Sequence, residues 1–491
     1  MAEQDAESRV AAVVIMAAGA GTRMKSAIPK VLHRIAGKSM VSLAIDTADA
    51  LSPQHLVVVV GHQRELVAEH LAEVAPHVTI AVQEQPLGTG DAVRAGLAAL
   101  PGLTGEIVVT SGDVPLLEPG TLVDLVEAHR ESGNAVTVLT AIVPDPSGYG
   151  RVVRDGDEVA RIVEHSDATD AELDLAEINS GIYVFEAAAL GEGLAALQAR
   201  NAQGELYLTD VVAHARAAGR RVGARVVADY LQTEGVNDRI QLAERSAELN
   251  RRILNRWMTE GVTVLDPATT WVHAGVDLAE DVTLLPGTSL EGATSVARGA
   301  TIGPDTTLID VEVGENARVL RTHAELAVIG PGATVGPFSY LRPGTELATN
   351  VHVGAFVETK KAVIGEGAKV PHLTYCGDAV VGAGSNIGAG TIFANYDGIG
   401  KHTSTVGAHS FVGSDSVLVA PVHIADGAYV AAGSTITGDV GPGELAVSRG
   451  QQRNIRGWVE RKRPGTATAE AAAAALNEAR DQEATERESG E

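Results

Sequence analysis

The chain has 491 residues, enough for two or three domains with ample cores. Its formal net charge is −25, from 38 basic and 63 acidic residues, which argues against a nucleic-acid binder and leaves anionic substrates in need of local basic pockets. Only 3% of residues are aromatic although 45% are hydrophobic, and there are 54 glycines, so the core must be built from Ala, Val, Ile and Leu.

One cysteine, Cys376, excludes an internal disulfide framework and fits a reducing compartment. No apolar stretch is long enough to span a bilayer, so no membrane insertion is expected. Residues 1–9 carry three acids and one Arg, the wrong flank for a secretory signal before Val10 to Ala20. We therefore expect a cytoplasmic protein with a flexible N-terminus over residues 1–9.

Val10 to Ile15 reads as a buried strand. Met16-Ala17-Ala18-Gly19-Ala20-Gly21-Thr22-Arg23 follows, with Pro29-Lys30 beyond. A glycine-rich turn leaving a strand brings backbone N–H groups against phosphate oxygens, and Arg23 and Lys30 add positive charge there. Taken alone, the same glycines serve equally well as a plain tight βα turn. The spacing matches neither a Walker loop nor Gly-x-Gly-x-x-Gly, so an ATPase and a dinucleotide dehydrogenase are poor fits.

Strand-like runs at Leu56–Val60, Glu106–Thr110 and Ala135–Thr140 alternate with helical patterns up to about residue 240. That alternation predicts an α/β domain over 10–240 with a mostly parallel sheet. Ligands on such sheets sit outside the carboxyl ends of strands, where Met16–Arg23 and Ser111-Gly112-Asp113 lie. Asp113 faces the turn as a natural Mg²⁺ ligand, although a lone aspartate there is more often a cap or turn residue. Gln83 and Leu87-Gly88-Thr89-Gly90 form another turn, fit to approach a base or ribose. The segment 241–262 reads as a linker helix, or equally as a surface helix of the first domain.

Over 263–460 an aliphatic residue followed by glycine recurs: Ile302, Val313, Ile329, Val335, Val353, Ile364, Val381, Ile387, Val406 and Val412. Steps of six, or of three sixes, are the hexapeptide signature of a parallel β-helix. A narrow prism also accounts for the scarcity of rings. A β-sandwich does not explain the sixfold register. The step from Ile387 to Val406 places an extra loop within Asn395 to Ser404. Beyond 461 the chain is rich in Ala, Glu, Thr and Ser, and disorder is expected over 461–491.

Arg342 and Lys360 stand one coil apart, which predicts a basic groove on one edge of the prism. His372, twelve residues after Lys360, falls on a different edge, so a site using both joins neighbouring subunits or shifts register at Pro371. A histidine there can supply a base that titrates near neutral pH.

Gly112-Asp113-Val114-Pro115-Leu116, Gly148-Tyr149-Gly150-Arg151, Ile162-Val163-Glu164-His165 and Glu234-Gly235-Val236-Asn237 complete a specific set with the turns above. Residues 13–240 resemble sugar-nucleotide pyrophosphorylases, and the second half resembles acyltransferases of the left-handed β-helix class. From about 10 to 460 the chain is similar to the bifunctional N-acetylglucosamine-1-phosphate uridylyltransferase / glucosamine-1-phosphate N-acetyltransferase family. Two departures are small: Met16 stands where Leu is common, and Ser111 replaces a Tyr.

The resemblance implies an α/β fold, with a Rossmann-like nucleotidyltransferase domain, a linker helix and a left-handed parallel β-helix. The hand comes from the resemblance alone, since parallel crossovers are nearly always right-handed. It implies that Met16, Ala17, Ala18, Gly19, Lys30, Gln83, Gly88, Thr89, Ser111, Gly112, Gly150, Glu164 and Asn179 hold the uridine nucleotide and amino sugar. Asp113 and Asn237 would bind Mg²⁺. In the β-helix, His372 would be the base, and Arg342, Lys360, Tyr375 and Asn386 would hold glucosamine-1-phosphate. Ala389, Asn395, Tyr396, Ser414, Ala432 and Arg449 would hold acetyl-CoA. Trp458 could stack on adenine or simply pack on the surface. Cys376 is not required as an acyl carrier. UTP, glucosamine-1-phosphate, N-acetylglucosamine-1-phosphate and acetyl-CoA are the implied small-molecule partners, and a homotrimer the implied assembly, feeding peptidoglycan and other envelope polysaccharides. Two rivals remain: a monofunctional pyrophosphorylase whose β-helix only oligomerises, and a non-catalytic scaffold. The second-half polar set argues against the first, and Asp113 with Lys30 and Glu164 against the second.

Overall fold

The structure, a computed structural model, describes residues 9–488, with side chains to residue 482. The flexible stretch expected over 1–9 lies, but for Arg9, outside the described residues.

The first half holds strands β1 (Ala12–Ala17), β2 (Arg34–Ile35), β3 (Lys38–Ser39), β4 (His55–Val60), β5 (Thr79–Val82), β6 (Glu106–Ser111), β7 (Val136–Ile142), β8 (Arg151–Asp155), β9 (Glu158–Val163), β10 (Glu177–Glu186) and β11 (Val222–Val226). Nine of them form one sheet, ordered β11-β7-β10-β6-β1-β4-β5 with β8 and β9 beside β10, while β2 and β3 make a separate hairpin. β1 runs parallel to β4 and β6, and β4 to β5, whereas β10 runs against β6 and β7. Helices cover both faces, which is why these strands read as unbroken aliphatic runs. Val58 and Val60 join one core, Val57 and Val59 the other. The parallel strands end on the same edge, so the turns after Ala17, Val82 and Ser111 converge there.

A helix at Arg239–Thr259 leaves this domain. The Asp238 carboxylate caps it, accepting from the Ile240 and Gln241 N–H groups at 2.9 Å each. At its other end Ile253, Leu254 and Trp257 are buried in the core of the second half.

That second half is a parallel β-helix of short strands, forming an 11-stranded and a 17-stranded sheet. The larger sheet wraps an edge, because strands such as Glu358–Ile364 continue through a corner. Inward residues stack in columns, one per coil: Leu284, Ile302, Val319, Val335, Val353 and Val370 on one face. Coil length is not constant. Thr283 pairs with Thr301, Thr301 with Arg318, Arg318 with Thr334, and Asn386 with Phe411. The long step contains the segment between Ile392–Ala394 and Ser404–Val406, where the extra loop leaves the coil.

One ring does enter the prism: Phe393 is fully buried. The segment from 461, expected to be disordered, is helical over Trp458–Lys462 and Ala467–Glu488. Ala and Glu are strong helix formers and give helix without an apolar face to bury. Among the described residues, no helix is long and apolar enough to cross a membrane.

Cys376 sits in an inward column between Thr359 and the Phe393 coil, with no exposure, and burial pushes its thiol up to about 12. Such a thiol carries no nucleophilic thiolate at neutral pH. Cys376→Ala should therefore cost about 1 kcal/mol or somewhat more in stability and leave acetyl transfer unchanged, whereas Phe393→Ala should cost about 3–5 kcal/mol. Thermal unfolding together with a thiol-release assay checks both.

Candidate functional site

The first site is built on the carboxyl edge of the sheet. The turn after β1 needs its glycine at position 21: φ is +58°, and a Cβ there would lie 2.7 Å from Lys30 Cβ. This close approach seats Lys30 beside Asp113. The Lys30 ammonium bonds to the Asp113 carboxylate and donates to Asn237 Oδ1 at 3.3 Å. The Ser111 hydroxyl donates to the other Asp113 oxygen at 2.7 Å, and Gly112 N–H to the Met16 carbonyl at 2.9 Å.

Gly88 has φ +113°, and a Cβ there would strike the Leu206 carbonyl at 2.7 Å. The Gln83 amide donates to the Gly88 carbonyl at 3.1 Å and to Asp91 at 3.0 Å. Thr89 Oγ1 accepts from Leu208 N–H at 3.0 Å. Together Met16, Ala17, Ala18, Gly19, Lys30, Gln83, Gly88, Thr89, Ser111 and Asp113 line one cavity of about 350 Å³. Glu205, which the sequence reading missed, closes its wall.

Gly150, Glu164 and Asn179 form a neighbouring group outside that lining. A Cβ on Gly150 would stand 3.3 Å from Glu164 Oε2, and Asn179 N–H donates to the Gly150 carbonyl at 2.9 Å. Burial raises the Glu164 carboxyl above its ordinary range, with Asp167, Asp210 and Glu205 adding to the rise and the Thr209 hydroxyl opposing it. Arg23 is exposed on the turn Thr22–Met24 and does not line the cavity.

The second site lies on the outside of the β-helix. Lys360 stands 3.6 Å from the Asp378 carboxylate, and Arg342 donates to Glu358 at 2.9 Å. Lys401, also missed in the sequence, comes from the extra loop to the side of Lys360. A hydrogen bond from Lys360 and the repulsion of its charge hold Lys401 below its ordinary pKa. The only sequence signal for Lys401 was the break in hexapeptide spacing. The Asn395 amide donates to the Tyr375 hydroxyl at 3.3 Å.

His372 is exposed at the end of strand Lys369–His372, in the 11-stranded sheet with Asn386. Lys360 and Tyr375 lie in the 17-stranded sheet, across the corner at Leu373. Ala389, Ser414 and Ala432 stand on successive coils, two residues beyond the paired Ile387, Val412 and Val430. Arg449 donates to the Ala432 carbonyl at 3.0 Å, which sets a cation at the end of this row of small residues. Tyr396 is exposed on the extra loop.

The nucleotidyl transferase family model matches residues 12–258. A bifunctional protein GlmU of Kineococcus radiotolerans is 55% identical over 469 residues, covering 95% of this chain and 96% of the relative. The chain belongs to the bifunctional GlmU family. The GlmU of Streptomyces avermitilis is 56% identical over 467 residues, 94% of this chain and 97% of that one. The GlmU of Mycobacterium marinum is 53% identical over 467 residues, 94% of this chain and 95% of that one. This GlmU-family chain is a bifunctional enzyme of UDP-N-acetylglucosamine synthesis, with uridylyltransferase and acetyl-CoA-dependent acetyltransferase activities, and its β-helix is of the left-handed class.

A carboxyl raised in the folded state binds its proton more tightly folded than unfolded. Its contribution to stability therefore falls as pH rises from the ordinary carboxylate value through the raised one. Glu164→Gln should raise the thermal midpoint above pH 7, and the gain should shrink towards pH 4. Melting curves across that range check it.

Proposed function

We propose that the domain over 10–240 transfers uridylyl from UTP to N-acetylglucosamine-1-phosphate at the Lys30–Asp113 cavity. The domain over 263–460 then serves as the N-acetyltransferase, with His372 as the base, and 241–262 is the linker. The observation that carries this reading is one ammonium, that of Lys30, held between Asp113 and Asn237 at the floor of a glycine-walled cavity.

The donor set fits Mg²⁺. Among the described residues no group of three or more His, Cys, Asp or Glu could hold a metal alone. Mg²⁺ commonly takes only one or two protein oxygens and completes its shell with substrate phosphates and water. Asp113 and Asn237 offer a carboxylate and an amide oxygen, with a cation already between them. When bound, Mg²⁺ would neutralise and align the phosphates.

Lys30 is freed to meet phosphate oxygens. Gln83 and the Gly88 turn bound the space for base and ribose, and Gly150, Glu164 and Asn179 hold the amino sugar. A phosphate oxygen of the sugar phosphate attacks the α-phosphorus, the α–β bridging P–O bond breaks, and pyrophosphate leaves. No protein nucleophile is needed, so alignment and neutralisation supply most of the rate. Arg23, exposed on the turn Thr22–Met24, adds positive charge on the side of the leaving pyrophosphate.

In the acetyltransferase site Arg342, Lys360 and Lys401 bind the sugar phosphate, with Tyr375 and Asn386 on its hydroxyls. Acetyl-CoA lies along Ala389, Ser414 and Ala432, with Arg449 on its phosphates and Asn395 and Tyr396 at the thioester end. His372 accepts the ammonium proton, the free amine attacks the thioester carbonyl, and the C–S bond breaks to release coenzyme A.

The assembly is a homotrimer. Two observations support this: the base and the phosphate cluster lie on different faces, and an apolar ladder runs along the corner between them. Its members Phe338, Phe356 and Leu373 are 52%, 59% and 61% exposed, and the two rings stack at 5.3 Å. A lone, buried, free Cys376 fits a cytoplasmic location.

Glucosamine-1-phosphate, acetyl-CoA, UTP and Mg²⁺ should yield thiol and pyrophosphate in step. His372→Ala should slow thiol release about 10²–10⁴-fold and spare pyrophosphate release from N-acetylglucosamine-1-phosphate. Asp113→Ala or chelation should do the reverse. Loss of both activities together in a folded variant would refute the two-site reading.

A further inference from the structure

Two chain segments deliver the floor of the uridylyl site, and both are anchored on the first coil of the β-helix. One runs from Lys30 into the hairpin β2–β3. There the Ala36 carbonyl accepts from Ala274 N–H at 2.9 Å, and Gly37, at φ +85°, lies so close to His273 that a Cβ would fall 2.5 Å from its Nδ1. The other runs from Asn237 into the helix Arg239–Thr259. Its start is tied to the site, with Val236 N–H donating to the Asp113 carbonyl at 2.9 Å and Asn237 N–H to the Gln241 side chain at 2.8 Å.

Its far half is tied to the coil by Asn250, buried to 6% exposure. The Asn250 amide donates to the Thr270 carbonyl at 2.8 Å and accepts from Val272 N–H at 2.9 Å, so it completes the coil as a strand neighbour would. Thr270 to Ala274 is therefore a common anchor. A rigid helix transmits displacement along its axis rather than absorbing it, and a short hairpin held at its tip does the same.

We propose that Asn250 and His273 are positioning residues for uridylyl transfer: through them the β-helix fixes Asn237 and Lys30 relative to Asp113. Neither residue touches the cavity, and neither belongs to the acetyltransferase site. The inference rests on the assignment of Asp113, Asn237 and Lys30 proposed above.

The test uses the full-length chain. Mn²⁺ binding is followed by electron paramagnetic resonance, and uridylyl and acetyl transfer are measured separately. Asn250→Ala should weaken Mn²⁺ binding and raise KM for UTP by roughly 2–30-fold, as expected for coupling through a shared element. Thiol release should stay at the wild-type rate. A purely structural role would lower the melting temperature and leave both constants unmoved, and that result in folded protein overturns the proposal. If Asn250→Ala does not fold, His273→Ala decides, since it removes a half-buried seat and one hydrogen bond, from Gly292 N–H at 3.1 Å: a raised KM for UTP supports the proposal and an unchanged one overturns it. If wild-type protein binds no Mn²⁺, the metal assignment fails, and KM for UTP in the two variants still judges the positioning role.

Discussion

One ammonium holds three distant stretches of chain together. Lys30, Asp113 and Asn237 come from different loops, and the Lys30 and Asp113 side chains are only 11% and 18% exposed. Removing one partner from such a pair leaves a poorly solvated charge, a loss of about 3–5 kcal/mol where burial is complete. The pair is therefore a constraint on the site, which keeps the carboxylate aimed at the cavity. It also explains Gly21: without a bare Cα there, Lys30 could not approach the turn.

The β-helix obeys a different constraint. Its interior is filled mostly by small or medium apolar side chains, with Phe393 the one ring among the inward residues described, so nearly all chemistry is displaced to the outer surface and the corners. Polar residues that do face inward mostly donate to backbone carbonyls, as Thr288 does to Leu285 at 2.7 Å and Ser339 to Gly354 at 2.7 Å, while Thr345 and Thr359 pair with each other at 2.9 Å. This makes the coil a ruler. Residues on successive turns stand in line whatever their identity, and a row of small residues at Ala389, Ser414 and Ala432 follows from spacing alone. A long, thin coenzyme suits such a surface better than a deep pocket would.

Legibility in the sequence tracked these constraints. The prism was readable because its interior repeats every six residues, and the extra loop because it breaks that count. The glycine turns at Gly21 and Gly88 were readable because only glycine fits their backbone. Burial-dependent features were not. The raised carboxyl of Glu164 comes first from burial, opposed by the Thr209 hydroxyl and helped by Asp210 and Glu205, all far away in sequence. Lys401 reaches Lys360 only through the path of a loop, which spacing cannot predict. The tail was misread because a search for an apolar face overlooks helices stabilised by propensity, as Ala467–Glu488 is.

A chain with net charge −25 must still bind triphosphate, sugar phosphate and coenzyme A. At physiological ionic strength the field of distant carboxylates fades over about 8 Å. What matters within that range is whether local cations are free to repartner. Many arginines are not: Arg252 is engaged with Glu118, Asp229 and Glu248, and Arg154 with Glu177. The lysines at the two sites differ. Lys30 pairs with Asp113 and Asn237, the groups proposed above as metal ligands, and Lys360 and Lys401 repel each other. Each site thus holds cations whose resting arrangement a phosphate can improve, and the overall acidity of the chain need not be overcome to bind one.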